Sequence, residues 1–575
     1  MKSLLKAAIF VVFPALLLAA WSTDPLENTC FSDLSGDQVI PKIAVLPSGE
    51  AYISWFSSES GNYNVRLQRI DVFGNELWEH NGLLVSDHPS MSWLTDYDLK
   101  ANPEGCAVVA FQDIRTGNTN IFAYRISPEG EFLWGDNGIA LSNNADFEPS
   151  PRIAITDSGN TVVAWQRIPE AGNDVIILQK ISPDGDLLWG DGIILQSDSG
   201  EDYTRPHLIV SEGDRVILLW FKESGVPWSP IKHLYAQKFD SDGNPVWPEE
   251  VPLYLGDDIP VYVEPVLVSD RAGGAYVGWY CGMSTLDIRV QHVDSEGNVT
   301  MADNGVPVST LSNRNRVAPS LAYLPSQNSL FVFWVEENYN QTAYGVYGQR
   351  LTSDGSRLWS DTGRSYIELS PYGIAGLSAR ADDEGIGVFF AYYDFGNALD
   401  SRIVGMRIDP DGNPLWDPPL ADLSSCESEK SHLAVSFCPG GQWIAAWSDS
   451  RNGNADIYGQ NVQLSGQLGP IPSRIEESPA VWRSTELSVS PTLISADGSD
   501  PLEIAVQLPT DGKLDLCLYD VAGRKVFQNG RGHFGAGRHL LRLDPSSVRL
   551  IPGVYILRAE MDGKTLGSAR IVVTE

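Results

Sequence analysis

The stretch "KISPDGDLLWGDGIIL", residues 180–195, recurs with variations along most of the chain. A close copy is "RISPEGEFLWGDNGIAL" at 125–141, and each of these copies places a Gly four residues before a Trp, as in Gly185 and Trp189. Pro-Asp-Gly is a strong tight-turn signal, and it separates two apolar segments. Each copy therefore predicts an antiparallel hairpin.

Three columns of residues repeat with the same period. The turn Gly occurs eight times at intervals of 54 to 58 residues, at Gly74, Gly130, Gly185, Gly243, Gly297, Gly355, Gly412 and Gly466. The hairpin Trp follows six of these, whereas Met301 and Pro470 take its place in the other two. Six residues before the Gly stands Gln in six copies. An aromatic residue ends an earlier apolar run, at Trp55, Phe111, Trp165, Trp220, Trp279, Trp334, Tyr392 and Trp447.

Each unit contains four short β-type segments and no segment of helical period. In one unit they are 151–156, 161–166, 175–182 and 187–195, separated by turn residues. Four antiparallel strands per repeat predict a β-propeller blade. We therefore expect an all-β fold, an eight-bladed β-propeller over 21–470 that a strand near the N-terminus closes. A seven-bladed ring with one aberrant unit is the alternative.

Two resemblances concern the repeat. The Gly-x-x-x-Trp ending, as in Gly130 and Trp134, resembles the tryptophan-docking repeat of the eight-bladed quinoproteins, which implies that each indole packs against the next blade. Their activity is not implied, since no adjacent cysteine pair occurs. "SPDGDLLW" is similar to the Asp-box of sialidases, but here Gly185 directly follows Asp184, which is not the register of that box.

The two ends of the chain differ from the repeat. Residues 1–20 combine Lys2 and Lys6 with an apolar core and Ala19-Ala20, the pattern of a signal peptide, so we expect export. Nothing later is apolar for long enough to cross a bilayer. A linker rich in Pro and Ser is expected at 471–486 and a small immunoglobulin-like β-sandwich at 487–575.

This last segment resembles the C-terminal sorting domain of type IX secretion cargo and the related hook-capping-protein domain. The resemblance implies recognition by the secretion machinery, with a cell-surface or extracellular location. The matching positions are Tyr519, Asp520, Gly523, Arg524, Gly537, His539, Gly553, Val554, Tyr555 and Arg570.

Charge and cysteine content limit the partners. The formal net charge of −34 disfavours nucleic acid, because phosphate would be repelled. Six cysteines allow fifteen pairings and the sequence does not choose among them. No cofactor is expected. Ca²⁺ would suit the acidic surface, but no helix–loop–helix calcium motif supports it.

Function is expected where the repeats disagree. One such column lies at the start of the first strand, where a propeller channel opens. In the predicted register its ionisable members are Lys42, Asp98, Arg152, His207 and His432. The other units have Val266, Ser320 and Ser378 at this place. These side chains are candidates for binding an anionic or sugar-like ligand, or are simply solvated.

Other recurrent residues are predicted to be structural. The hairpin Trp should join neighbouring blades, and the Gln should hydrogen-bond the backbone between blades. Asp113–Arg115 and Asp449–Arg451 occupy matching loops after the second strand and should fix a turn.

The sequence favours an exported, non-catalytic binding or adhesion protein for an unknown glycan or protein ligand. The alternative is a secreted carbohydrate-active enzyme, a glycosidase or lyase, with its site at the channel mouth. Glycoside cleavage needs paired carboxylates, and the sequence cannot single out such a pair among 74 acidic residues. An acidic pair in one pocket would favour the enzyme, and an exposed aromatic patch would favour binding.

Overall fold

The computed structural model describes residues 21–90, 96–226, 228–471, 487–490, 493–495, 502–508, 512–520, 524–534, 537–543, 553–561 and 564–574. The chain divides into two compact units, Met1–Pro472 and Ser473–Glu575. The predicted signal peptide and nearly all of the predicted linker lie outside the described residues. Among the described residues no helix is long and apolar enough to cross a membrane.

The first unit is built from four-stranded antiparallel sheets, eight of them within 21–471, which we call blades 1 to 8. Blades 1 to 4 consist of β2 Gln38–Val45, β3 Ala51–Ser57, β4 Tyr63–Ile70 and β5 Leu83–Ser90; β6 Asp98–Ala101, β7 Ala107–Asp113, β8 Asn120–Ile126 and β9 Ile139–Ala140; β10 Arg152–Ile155, β11 Thr161–Arg167, β12 Val175–Ile181 and β13 Ile193–Leu195; β14 Asp202–Val210, β15 Val216–Val226, β16 Ser229–Phe239 and β17 Val251–Tyr254.

Blades 5 to 7 continue the same order. They consist of β18 Val266–Ser269, β19 Ala275–Cys281, β20 Asp287–Val293 and β21 Val306–Pro307; β22 Arg314–Leu324, β23 Ser329–Asn338, β24 Tyr344–Leu351 and β25 Arg364–Ser370; β26 Gly373–Ala381, β27 Ile386–Asp394, β28 Asn397–Ile408 and β29 Ala421–Ser424. A 3₁₀ turn at Pro325–Gln327 connects β22 to β23.

Blade 8 combines both ends of this unit. Its strands β30 Lys430–Cys438, β31 Gln442–Asp449 and β32 Asp456–Gln463 are completed by β1 Thr29–Ser32, which pairs antiparallel with β32. The first strands of successive blades contact one another in cyclic order, and the first strand of blade 1 contacts that of blade 8. The prediction of an all-β propeller fold is confirmed, and the first strands surround its central channel.

The hairpin Trp joins each blade to the next, as predicted. An indole, or Met301 in blade 5, lies against the turn Gly of the following blade, and a Cβ built on Gly297 would lie only 2.7 Å from Cγ of Trp247. These glycines also have φ between 84° and 96°, so the backbone favours Gly at all eight, and a Cβ would be crowded at all of them except Gly130. The pairs are Trp21–Gly74, Trp78–Gly130, Trp134–Gly185, Trp189–Gly243, Trp247–Gly297, Met301–Gly355, Trp359–Gly412 and Trp416–Gly466.

Hydrogen bonds reinforce this packing. The indole N–H of Trp247 donates to the Ser295 carbonyl of the next blade over 3.1 Å, and Lys238 Nζ donates to the same carbonyl over 3.4 Å. Trp189 and Lys180 share the Ser241 carbonyl in the same way. A basic residue directly after the Gln column thus forms part of the blade junction, a role that the sequence analysis missed.

The prediction that the Gln column bridges blades is wrong. Gln179 Nε2 donates to the Gly190 carbonyl over 2.8 Å, and Gln179 Oε1 accepts from the Trp189 N–H over 3.1 Å. Both partners belong to blade 3. The Gln side chain therefore holds the backbone around the hairpin Trp against the third strand of the same blade. From this position the indole of the Trp contacts the next blade.

Two register predictions also need correction. The fourth strand of blade 3 is shorter than 187–195, because it begins at Ile193, after the Trp segment. In blade 7 the aromatic column passes through Phe390 instead of Tyr392. Ser378 pairs with Phe389, just as Arg152 pairs with the residue before Trp165.

The second unit contains a three-stranded sheet and a five-stranded sheet. The first orders β33 Leu487–Ser490, β35 Leu502–Leu508 and β38 Gly537–Leu543; the second orders β34 Leu493–Ser495, β40 Lys564–Thr574, β39 Gly553–Met561, β36 Gly512–Asp520 and β37 Lys525–Phe534. The described residues of 487–575 form only β-structure, as predicted, whereas the immunoglobulin-like fold and the sorting role stay predictions.

Candidate functional site

A β-bulge interrupts the first strand of several blades, for example between Thr204 and His207 in blade 4. The residue two positions before the predicted column has a left-handed backbone in five blades, for example Arg205 at φ 52°. Such a conformation is costly for a residue with a side chain. Its recurrence at equivalent positions makes it a property of the repeat. The residues are Ile40, Ser150, Arg205, Ala318 and Gly376.

His432 belongs to this second column, so its predicted register is wrong. In blade 8 it is Ala434 that pairs with the residue before Trp447, and His432, at φ 53°, lies in the bulge. Its Nδ1 is 3.0 Å from Ser431 Oγ. The predicted count is off by two, because Ala434 stands thirteen residues before Trp447, just as Arg152 stands thirteen residues before Trp165.

The predicted residues Lys42 and Arg152 meet at one carboxylate. Asp96 Oδ1 lies 2.7 Å from Lys42 Nζ, and its Oδ2 lies 2.9 Å from Arg152. Burial acts to raise the pKa of Asp96, but the two cations outweigh it and lower that pKa to about 2. Side chains from blades 1, 2 and 3 thus form one ion-paired group at the channel mouth.

His207 is held by a second carboxylate. Its Nε2 lies 3.2 Å from Glu264 Oε2, and Arg205 pairs with the other oxygen of Glu264. Burial and the positive charge of Arg152 lower the pKa of His207, so the imidazole is neutral at neutral pH.

Asp98 faces the backbone of the neighbouring blade. Its Oδ2 accepts a hydrogen bond from the Ile153 N–H over 2.9 Å, and its Oδ1 lies 2.7 Å from Lys100 Nζ. In blade 6 Ser320 accepts from the Ala379 N–H in the same manner over 2.8 Å. These bonds give Asp98 a structural part in linking the first strands of blades 2 and 3.

A cavity of about 490 Å³ extends from the channel mouth outward between blades 3 and 4. Four blades contribute charged groups to its lining: Asp96, Arg152, Asp174, Arg205, Glu223 and Glu264. Residues from blades 2 to 5 can meet only where the first strands converge, so the inner end of this cleft is the channel mouth. We call it the blade 3/4 cleft.

An acidic pair lies on the outer side of the blade 3/4 cleft. Asp174 is the residue directly before β12, and its Oδ2 accepts a hydrogen bond from Gln166 over 2.7 Å. Burial raises the pKa of Asp174 to about 6, and the charges of Asp202 and Glu223 act in the same direction. The carboxyl of Asp174 is therefore partly protonated near neutral pH.

Glu223 has different surroundings. Thr204 Oγ1 donates to its Oε1 over 2.6 Å, and Lys232 Nζ lies 3.5 Å from the same oxygen. The cleft thus holds one carboxyl with a raised pKa and, on the neighbouring blade, a second carboxyl with a hydroxyl and a cation as partners.

Sequence reasoning missed these carboxylates. Asp96, Asp174, Glu223 and Glu264 come from four different blades, and Asp174 and Glu223 hold no common place in the repeat. A weak signal existed for Asp96 and Glu264, because each stands two residues before a member of the predicted column. Asp113–Arg115 and Asp449–Arg451 are turn-fixing pairs, as predicted, with Arg–Asp contacts of 2.9 Å and 2.7 Å.

No family model and no curated protein matches this chain. Among solved structures it is similar to a Dyadobacter fermentans protein of unknown function, with 11% identity over 56% of this chain and 95% of that one and a TM-score of 0.34. It is similar to a Penicillium chrysogenum α-L-arabinanase, with 12% identity over 55% and 92% and a TM-score of 0.31. It is also similar to a polysaccharide lyase of family PL25, an ulvan lyase, with 9% identity over 76% and 96% and a TM-score of 0.40. Such distant similarities carry no argument about the activity of this chain.

Proposed function

We propose that the protein is an exported carbohydrate-active enzyme that cleaves glycosidic bonds in the blade 3/4 cleft. The observation that carries the proposal is the acidic pair, since glycoside cleavage uses one protonated and one ionised carboxyl group on either side of the bond. Asp174 would protonate the leaving oxygen. Glu223 would act on the opposite side, as a base for water or as the nucleophile.

The remaining charged groups suit the binding of a sugar. Arg152 and Arg205 line the inner end of the cleft, where guanidinium groups can donate to hydroxyl or carboxylate oxygens of a glycan. Their carboxylate partners, Asp96 and Glu264, hold them in place.

The test combines a screen with paired variants. Soluble polysaccharides are incubated with the full chain, and new reducing ends are measured. Asp174→Asn and Glu223→Gln should each lower kcat by about 10²–10⁴-fold, the usual contribution of a general acid or base. Asp184→Asn, an exposed turn aspartate of the same blade, serves as the matched control and should retain activity.

The pH profile provides a second check. An acid with a pKa of about 6 is lost as the pH rises through that value, so kcat should fall above about pH 6. Turnover that survives unchanged in Asp174→Asn would show that this carboxyl is not the acid.

Binding without chemistry is the second candidate function. It is favoured by exposed aromatic side chains on the hairpin and loop beside the cleft, Trp228 at 80% and Tyr262 at 66% exposure, since aromatic faces are common sugar-binding surfaces. A glycan array separates the two functions. A retained glycan that is never cleaved, and whose binding Trp228→Ala abolishes, would favour the binding protein.

For the second unit we propose a role in sorting by type IX secretion, supported by the motif resemblance in 487–575. Deletion of 473–575 should leave the propeller in the periplasm of a host that has this secretion system. Normal extracellular release of the deleted chain would contradict the proposal.

A further inference from the structure

A cysteine, an aspartate and a histidine meet where the ring closes. Cys30 lies in β1 of blade 8, and Asp33 is the first residue after the end of β1. His80 lies in blade 1, after Trp78 and before β5. One ligand atom of each, the thiol sulfur, a carboxylate oxygen and a ring nitrogen, lies within 4.8 Å of both others. The cluster is remote from the blade 3/4 cleft, and neither the fold nor the proposed catalysis uses it.

The separation of the nitrogen and oxygen ligands suits a tetrahedral ion. His80 Nε2 and Asp33 Oδ1 are 3.2 Å apart. Two nitrogen or oxygen ligands on tetrahedral Zn²⁺ stand about 3.3 Å from each other, as bonds of about 2.0–2.1 Å require. Sulfur, nitrogen and carboxylate oxygen are the donor types that Zn²⁺ accepts, and three protein ligands leave a fourth position for water.

The surrounding residues orient these ligands as in protein metal centres. The other ring nitrogen of His80, Nδ1, lies 3.0 Å from Glu76 Oε2, and a carboxylate in this place fixes the ring and raises its basicity toward a metal. Asn81 Oδ1 accepts from the Asp33 N–H over 2.9 Å and from Ser32 Oγ over 3.0 Å. Asp33 is thereby held next to the histidine.

We propose that Cys30, Asp33 and His80 form a Zn²⁺ site that fastens the closing strand to blade 1. The two ends of the propeller meet inside blade 8, where β1 pairs with β32, and the chain then runs from β1 into blade 1 through 33–37. A metal bound there would link Cys30 and Asp33 at the closing strand to His80 of blade 1. It would stabilise the closed ring, because the complete set of three ligands is assembled only in the folded state.

The experiment uses the full chain without an affinity tag, first dialysed against a chelator. Zn²⁺ added in excess should bind with one high-affinity ion per chain and raise Tm by about 2–4 °C. Co²⁺ in place of Zn²⁺ should give the visible bands of a tetrahedral ion together with a thiolate-to-metal charge-transfer band.

Variants assign the site. Asp33→Asn, His80→Gln and Cys30→Ser should each abolish the Tm rise, and Glu76→Gln should weaken Zn²⁺ binding by about 10–100-fold. The matched control is His88→Gln, a histidine of the same blade on β5 outside the cluster, which should behave as the parent. Asp33 and His80 are half exposed, so their variants should fold even if Cys30→Ser does not.

Three results would overturn the proposal. One is a parent chain that takes up no Zn²⁺; another is a Co²⁺ spectrum without the thiolate band. The third is a Tm rise in Asp33→Asn and His80→Gln equal to that of the parent.

Discussion

Replacing Trp247 by Ala should strongly destabilise the propeller. The indole is 2% exposed, packs on Gly297 of blade 5 and donates to the Ser295 carbonyl. The three atoms nearest to a Cβ on Gly297 all belong to this indole, so truncation leaves a cavity at the blade junction. Truncation of a buried Trp to Ala costs about 3–5 kcal/mol in unfolding free energy.

Trp247→Phe separates packing from hydrogen bonding. It keeps a ring on Gly297 but loses the N–H donor. The Ser295 carbonyl still accepts from Lys238 Nζ, so it is not left without a partner. The expected loss is therefore about 1–2 kcal/mol, well below that of Trp247→Ala.

Urea unfolding followed by far-UV circular dichroism measures both variants, and the propeller transition is compared at constant slope. Trp228→Ala is the matched control, since this side chain is 80% exposed and its removal should change stability by no more than about 0.5 kcal/mol. If Trp247→Ala cost no more than Trp228→Ala, the argument that docked indoles hold neighbouring blades together would be refuted.

Three further perturbations follow from buried polar groups. Gln349→Leu should cost at least about 2 kcal/mol in urea unfolding, because the Ser360 carbonyl and the Trp359 N–H each lose their side-chain partner. Asp174→Asn should equal the parent in stability near pH 4 and should be more stable than the parent above pH 6. The raised pKa of Asp174 means that the folded parent binds a proton more tightly than the unfolded chain, so the parent loses stability as the pH rises from about 4 to 6. Asp96→Asn should be less stable than the parent at pH 7, and the difference should shrink as the pH falls from about 4 toward 2, because the lowered pKa of Asp96 means that only its ionised form stabilises the fold. Urea midpoints measured at several pH values check both aspartate variants. A stability difference from the parent that stays constant with pH would contradict these two predictions.

The sequence predicts the propeller because the residues that join neighbouring blades recur in every unit. A turn Gly with positive φ, an indole that covers the next Gly and a Gln that fixes the indole are all local, short-range requirements. They recur at a constant spacing, so counting finds them. The structure adds the Lys238-type donor, which counting could also have found one residue after the Gln column.

The candidate site was only partly predictable. Counting agrees with the strand register for Lys42, Arg152 and His207, because the first strands of blades 1, 3 and 4 keep the common pairing, whereas a binding role for these residues stays a prediction. It failed for His432, because the residue thirteen positions before Trp447, the spacing that Lys42, Arg152 and His207 share, is Ala434. The acidic pair Asp174 and Glu223 meets through tertiary packing of two hairpins, and no offset along one chain reports such a meeting.

The distribution of charge around the ring points to one side of the channel. Blades 2 to 5 place Asp96, Arg152, Arg205 and Glu264 at its mouth, whereas the bulges of blades 6 and 7 carry Ala318 and Gly376. A ligand bound on the channel axis would meet all blades equally. The charged residues instead lie on one side of the channel mouth. This favours a ligand that enters through the blade 3/4 cleft, with its inner end beside Arg152 and Arg205 and its outer part beside Asp174 and Glu223.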